Sequence, residues 1–275
     1  MLLASSVGGF LLALAALLAS VYLEGGHAAA LANLSAAVLV LGGTVGVTVM
    51  SHTWEELKRL PSLLGLAFGW GLPDLPATAT RLLQMADVAR RQGVLALEGD
   101  AEKTKEPFLS QATALLADGT DSDRLSASLA TAMQLFRERT TASIQILQTA
   151  GGYAPTMGII GTVLGLVHVL GNLSEPDKLG GAIATAFIAT LYGVGSANII
   201  WLPLGAKIKA ASEQLYLYQR MVSDAVLAIQ QGESRMRLQE RLALYCGQPV
   251  AAPGEASLTD QAIEGEVKDA HQQTA

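Results

Sequence analysis

Polar side chains lie deep within otherwise apolar stretches of this chain, among them Thr156, Thr162, Thr185, Thr190, Tyr192, Ser196 and Asn198. The stretches that hold them, residues 140–174 and 179–206, contain no Asp, Glu, Lys or Arg. If they lie in a bilayer, each hydroxyl has two possible uses. It can bond back to a carbonyl of its own helix, or it can line a path for an ion. Ion carriers place an ionisable group in the bilayer interior. On the second use, then, the carboxylate that binds and releases the ion must come from a partner. Other chemistry is sparse. Cys246 is the only cysteine, which excludes an intrachain disulfide and a thiolate zinc cluster. His27, His52, His168 and His271 show no ligand spacing. No catalytic constellation, phosphate-binding glycine loop or metal motif is present, so the reading is a protein that is not an enzyme and carries no cofactor.

The elements that must position these hydroxyls follow from where charge is missing. Only 15% of residues are charged, against roughly a quarter in soluble domains. The 28 glycines suit closely packed membrane helices. A net charge of −6 excludes a general nucleic-acid binder. Four charge-free windows run over residues 1–23, 25–54, 140–174 and 179–206. Each supplies the roughly 20 apolar residues that span about 30 Å of hydrocarbon as a helix. Met1 to Phe10 has no Lys or Arg, so the first window reads as a retained helix rather than a signal peptide.

The expected fold is an all-α membrane protein with four transmembrane helices. Helices 1 and 2 occupy residues 1–51, a helical cytoplasmic domain residues 52–148, and helices 3 and 4 residues 149–206. A long C-terminal cytoplasmic helix follows over 207–246, then a disordered tail over 247–275. Orientation comes from the loops: 52–139 carries ten Lys and Arg and 207–275 carries seven, whereas 24–32 carries none. Basic segments stay cytoplasmic, which puts both termini inside.

Within the cytoplasmic part, Asp74-Leu75-Pro76 reads as a helix start and Ala77–Leu97 as helix. Asp118 to Asp123 reads as a turn followed by a cap. Leu125, Leu129, Ala132 and Phe136 then repeat at helical spacing, on a helix expected to run into the third crossing. Ile208, Leu215, Val222, Ile229 and Met236 recur every seven residues, with Ala211, Tyr218 and Ala225 between them. That pattern predicts one helix of roughly 40 residues, about 60 Å long. In the membrane, Gly158, Gly161 and Gly165 share a helical face, and Ala182, Ala186 and Thr190 follow small-xxx-small spacing. Pro155 and Pro203 stand where membrane helices meet cytoplasmic ones and are candidate hinges.

At these residues the sequence resembles a known family. GYAPTMGIIGTVLGLVHVLGNL at 152–173 is similar to the third crossing of the MotA family of flagellar stator subunits, particularly its MotC branch. LGGAIATAFIATLYG at 179–193, continuing to PLGAKIK at 203–209, resembles the fourth. LEGGH at 23–27 and LGGT at 41–44 resemble the first loop and second crossing, and the likeness extends to about residue 245.

The resemblance implies a homopentamer around two copies of a MotB-type partner. That partner supplies the membrane Asp and a peptidoglycan-binding domain. The complex would sit in the bacterial inner membrane, surrounded by lipid, and conduct H+ or Na+ to turn against the rotor protein FliG. Under it, Arg90, Arg91 and Glu98 of RRQGVLALE match the FliG-contact motif, Thr162 and Thr190 match ion-path positions, and Pro155 and Pro203 match the functional prolines. Read as one helix, Arg91 and Glu98 share a face and Arg90 lies about 80° from Glu98. Asp87 pairing with Arg90 or Arg91 is the plain structural alternative. Threonine at both ion-path positions matches sodium-type members, while the surrounding residues resemble the proton-type branch. The reading leans to protons and leaves sodium open. Two rival readings remain: a TolQ or ExbB type energising subunit, which has three crossings, and a channel or transporter that works alone.

Overall fold

The computed structural model describes residues 2–26, 31–69, 71–104, 106–171 and 176–250. Every regular element among them is helical. In order these are α1 (Leu2–Leu23), α2 (Leu34–Ala37), α3 (Gly43–Ser51), α4 (Trp54–Ala67), α5 (Leu75–Gln92), α6 (Glu98–Lys103), α7 (Pro107–Ala117), α8 (Ser122–Gly171), α9 (Pro176–Ser196), α10 (Leu202–Gln230) and α11 (Arg235–Cys246). Two wider π-helical segments, Val38–Gly42 and Ala197–Trp201, join α2 to α3 and α9 to α10. The chain divides into two compact units, residues 1–72 with 136–213 and residues 73–135 with 214–275. Residues 52–72 and 136–148 therefore pack in the same unit as the apolar helices.

Three described helical stretches are long and apolar enough to cross a membrane: Leu34–Ser51, Ser122–Gly171 and Leu179–Gln230. Val7–Leu23 is a shorter apolar segment of the 22-residue α1. The helix ends obey local chemistry. Asn33 caps α2 by accepting from the Ala36 amide, and Thr53 with Glu56 forms a capping box at α4. That backbone hydrogen bond from Thr53 holds the Glu56 carboxyl below its usual range. Asp74 caps α5 as its sequence position predicts. Gly119, at φ 67°, ends α7 with Thr120 N bonded to Leu115 O and Gly119 N to Leu116 O, a Schellman motif. Leu125 N then bonds Asp121 O as α8 begins.

The unit built from 73–135 and 214–250 has an aliphatic core. Leu82 and Leu83 of α5, Leu109 and Leu116 of α7, and Leu125 and Leu129 of α8 are all fully buried. Met221, Val222, Ala225 and Val226 of α10 join them, with Leu238 and Leu242 of α11.

The expected single helix over 207–246 is two. Glu233 N bonds Ala228 O and Gly232 N bonds Ile229 O, with Gly232 at φ 69°, so a Schellman cap stops α10. The seven-residue pattern ends at Ile229, and Met236 is 70% exposed. Heptad counting passes over Gly232 because one glycine costs a helix only about 1 kcal/mol. After the turn α11 runs antiparallel along α5: Arg235 pairs with Asp87 at 2.9 Å, and Cys246 lies in the field of Asp74. Of the disordered tail expected over 247–275, residues 247–250 are described and are ordered against α11. Val250 is buried, and its carbonyl accepts from Gln239 Nε2 at 2.7 Å. Residues 251–275 lie outside the described residues.

Candidate functional site

The site is built on the contact between α8 and α9, and glycine makes that contact possible. A Cβ on Gly193 would lie 2.5 Å from Ala154 O and 2.9 Å from Gly158 Cα. On Gly161 it would meet Ala189 Cβ at 2.5 Å, and on Gly165 it would meet Ala186 Cβ at 2.7 Å. The predicted glycine face and the alanines of the facing helix therefore bring backbone against backbone, as small residues allow in lipid. Gly193 belongs to the same contact and was not among the glycines read from spacing.

That approach brings Thr162 and Thr190 together. Their hydroxyls are hydrogen-bonded to each other, and Thr162 Oγ1 also lies 3.1 Å from Gly158 O and 3.0 Å from Ala186 O. Each hydroxyl has one proton and two lone pairs. Thr190 donating to Thr162, with Thr162 donating toward the two carbonyls, satisfies every contact. It leaves lone pairs on Thr190 for a cation or a donor. Both side chains are half-buried. The plain use of a membrane threonine, bonding within its own helix, and the cross-helix use are thus both realised at Thr162. Beside the pair runs an open groove of about 1150 Å³ lined by Gly161, Leu164, Gly165, Ala182, Thr185 and Ala189 among others.

A second polar cluster was not read from sequence. Tyr192 Oη donates to Leu31 O and accepts from Asn33 N at 3.2 Å, and Asn33 Nδ2 donates to Thr185 Oγ1 at 2.9 Å. The signal available was Asn33 itself, an amide at the start of an apolar run. The remaining polar residues bond locally: Thr156 to Tyr153 O, Ser196 to Gly193 O and Asn198 to Val194 O. At the end of α3, His52 Nε2 lies 3.2 Å from Thr149 Oγ1, while its Nδ1 lies 3.5 Å from Glu56. Among the described residues no group of three His, Cys, Asp or Glu is placed to hold a metal.

The two prolines behave differently. Pro155 sits inside α8, which continues through it. Pro203 is the second residue of α10, one residue past the π segment Ala197–Trp201. Proline has no N–H and crowds the carbonyl four residues back, and a π turn relieves that crowding. Pro155 leaves the Gly151 carbonyl without its helical donor. Gly151 packs against Leu202, to whose Cδ2 an added Cβ would come within 2.6 Å. The two proline neighbourhoods therefore touch within this unit.

Arg90 and Arg91 form the exposed last turn of α5, and Glu98 is exposed at the start of α6. The single helical face expected for Arg91 and Glu98 does not exist. Gly93, at φ 84°, ends α5, and a 3-10 turn over Val94–Leu97 intervenes. The alternative pairing with Asp87 is not made either. Asp87 pairs with Arg235, and Arg91 Nε donates to the Asp87 backbone carbonyl at 3.2 Å. Among the described residues Arg90, Arg91 and Glu98 make no ion pair.

The family model of the MotA/TolQ/ExbB proton channel family matches residues 100–221. Motility protein A of Bacillus subtilis is 31% identical over 245 residues, covering 88% of this chain and 90% of that protein. Chemotaxis protein PomA of Vibrio alginolyticus is 32% identical over 228 residues, covering 83% and 87%. The fold matches a chain of the C. jejuni MotAB structure with a TM-score of 0.84 at 27% identity, covering 88% and 95%. It matches the flagellar MotAB stator complex of Bacillus subtilis at 0.81 and 29%, covering 93% and 98%. The chain belongs to the MotA/TolQ/ExbB proton channel family, on its MotA side.

Proposed function

From that membership, we propose that the chain is the larger subunit of a flagellar stator, converting an ion-motive force into torque on the rotor. The observation that carries this is the Thr162–Thr190 hydroxyl pair, set in a glycine-tight helix contact with no carboxylate, lysine or arginine in the apolar windows. Hydroxyl oxygens are hard ligands that can accept a proton relay or help strip water from sodium. They cannot carry charge across by themselves. A MotB-type subunit supplies the ion-carrying Asp against this pair, and several copies of this chain surround it as a pentamer.

Four helices cross the inner membrane, with both termini cytoplasmic, following the distribution of Lys and Arg. Residues 1–51 and 149–206 are the membrane part, and 52–148 with 207–246 the cytoplasmic part. Arg90, Arg91 and Glu98 meet charges on FliG: they are exposed and make no ion pair among the described residues. Pro155 and Pro203 transmit movement between the membrane helices and their continuations. The touching of Gly151 and Leu202 supports treating them as one coupling element.

The test is ion flux in proteoliposomes. The chain with a one-helix partner bearing a membrane Asp conducts, and conductance falls when Thr162→Val and Thr190→Val are combined. The chain alone does not conduct. Robust flux from the pure chain would establish the self-sufficient channel instead. Swimming speed against external sodium, at fixed proton-motive force, separates the two ions.

A further inference from the structure

We propose that the apolar cavity between α1, the start of the second apolar stretch and the end of α9 holds one acyl chain of a membrane phospholipid. The inference rests on the chain's apolar helices lying in a membrane, and stands apart from the ion path and the rotor contact. Every residue that lines the cavity belongs to one unit, residues 1–72 with 136–213.

The cavity measures about 490 Å³. Phe10, Leu14 and Leu18 wall it on α1, Leu41 on the segment after α2, and Leu191 and Ile199 on α9 and its continuation. Its walls share an uncommon backbone. Both π segments contribute side chains, Leu41 from Val38–Gly42 and Ile199 from Ala197–Trp201. π turns are rare and occur mostly at functional sites. Here two of them, from helices distant in sequence, face the same space.

Polarity argues against water as the occupant. The polar side chains on the wall are Tyr192 and Ser196, and both are engaged. Tyr192 Oη donates to Leu31 O and accepts from Asn33 N, and Ser196 Oγ donates to Gly193 O at 3.2 Å. A buried water needs two to four polar partners. Emptiness is no better, because cavities shown to stay dry are smaller, about 150 Å³.

Size separates the remaining occupants. The lining runs from Phe10 to Leu18 on one wall and from Leu191 to Ile200 on another, about 12–14 Å by helical rise. Spread over that length, the volume gives a slot about 7 Å across. A helix with its side chains needs about 10–12 Å, so a neighbouring helix does not fit. A hydrocarbon chain, whose carbons approach others at 3.5–4.0 Å, is about 4–5 Å thick and does. Its source is adjacent. Phe10, Leu14 and Leu18 all stay exposed on one face of α1, and Leu12, on the opposite face, is 73% exposed. The cavity is thus continuous with the apolar surface that lipid already covers.

The experiment uses the full chain with its partner in vesicles of phosphatidylethanolamine and phosphatidylglycerol. A trace phospholipid carries a diazirine on its acyl chain, and adducts are located by fragment mass spectrometry. A Cβ on Gly195, which lines the cavity, would meet nothing within 4 Å, so Gly195→Leu fills the space without a backbone clash. Labelling of Leu14 and Ile199 should fall about fivefold in this variant, while labelling of Leu12 holds. Gly180→Leu, at a second open glycine that does not line the cavity, should change none of them. Ala37→Leu narrows the cavity from the opposite wall and should repeat the loss, which keeps the test independent of how Gly195→Leu folds. Absent labelling of Leu14 and Ile199, or equal labelling in both filled variants, overturns the site. So does a photo-crosslinking amino acid at position 199 that joins a second copy of the chain rather than lipid.

Discussion

The α8–α9 contact and the core of the 73–135 and 214–250 unit bury helices by opposite means. In the first, Gly158, Gly161, Gly165 and Gly193 let backbones meet, and the specific bond is between two hydroxyls. In the second, Leu82, Leu109, Leu129 and Leu238 fill the space between helices with large aliphatic side chains. The difference follows from the solvent. Lipid is as apolar as leucine, so helices in it gain nothing from burying leucine and must associate through close packing and polar contacts. Water rewards aliphatic burial at about 25 cal/mol per Å². The first interface should therefore fail when atoms are added, and the second when atoms are removed.

Gly193→Val breaks that contrast hardest if it is right. Its Cβ would meet the backbone oxygen of Ala154 at 2.5 Å, and a backbone atom cannot swing aside. The expected outcome is loss of partner co-purification and of flux, while Gly180→Ala, which meets nothing within 4 Å, changes neither. Leu82→Ala tests the other side. It should cost about 2–5 kcal/mol, read as a lower melting temperature of the purified complex, with a smaller cavity mutant such as Ile229→Val costing about 0.5–1.5 kcal/mol. Comparable losses from Leu164→Ala, on the groove-facing side of α8, would erase the distinction.

Smaller effects sharpen it. Gly232→Ala forces a side chain into the left-handed region at φ 69° and should destabilise the α10–α11 turn by about 1 kcal/mol. Protease nicking between residues 230 and 235 would report it. The smallest effect concerns pH. Burial, and the hydrogen bond it donates to Asp224, push the Tyr245 phenol up to about 12. The folded state therefore holds this proton more tightly than the unfolded one. Its stabilising contribution is full below the ordinary tyrosine value of about 10 and is lost as pH rises from there toward about 12. In a phenolate absorbance titration the tyrosine ionising near 12 should disappear in Tyr245→Phe and ionise earlier in Asp224→Asn, while Tyr218, pushed up further by burial, still ionises last in both.

Much of the architecture was legible because it is written in local chemistry. Long windows without charge marked the apolar helices, Asp74-Leu75-Pro76 marked the start of α5, and the Asp118–Asp123 turn preceded α8 as expected. Glycine spacing identified most of the face that α9 contacts. Legibility failed where a single residue changed the backbone. Gly232 and Gly93 adopt positive φ, which composition and heptad counting cannot distinguish from helical glycine. One divided the expected C-terminal helix, and the other removed the shared face of Arg91 and Glu98.

By itself the sequence determined four long windows with no Asp, Glu, Lys or Arg in them, and with them the expectation that an ion-carrying carboxylate comes from a partner. That conclusion needs no geometry, because the cost of burying an unpaired charge holds in any fold. The tertiary structure alone decided which polar groups meet: Thr162 with Thr190, Tyr192 with Asn33, and Asp87 with Arg235 rather than its helical neighbours. Such pairings join residues far apart in the chain through distances of a few ångströms. Local propensity carries no information about them until helices pack.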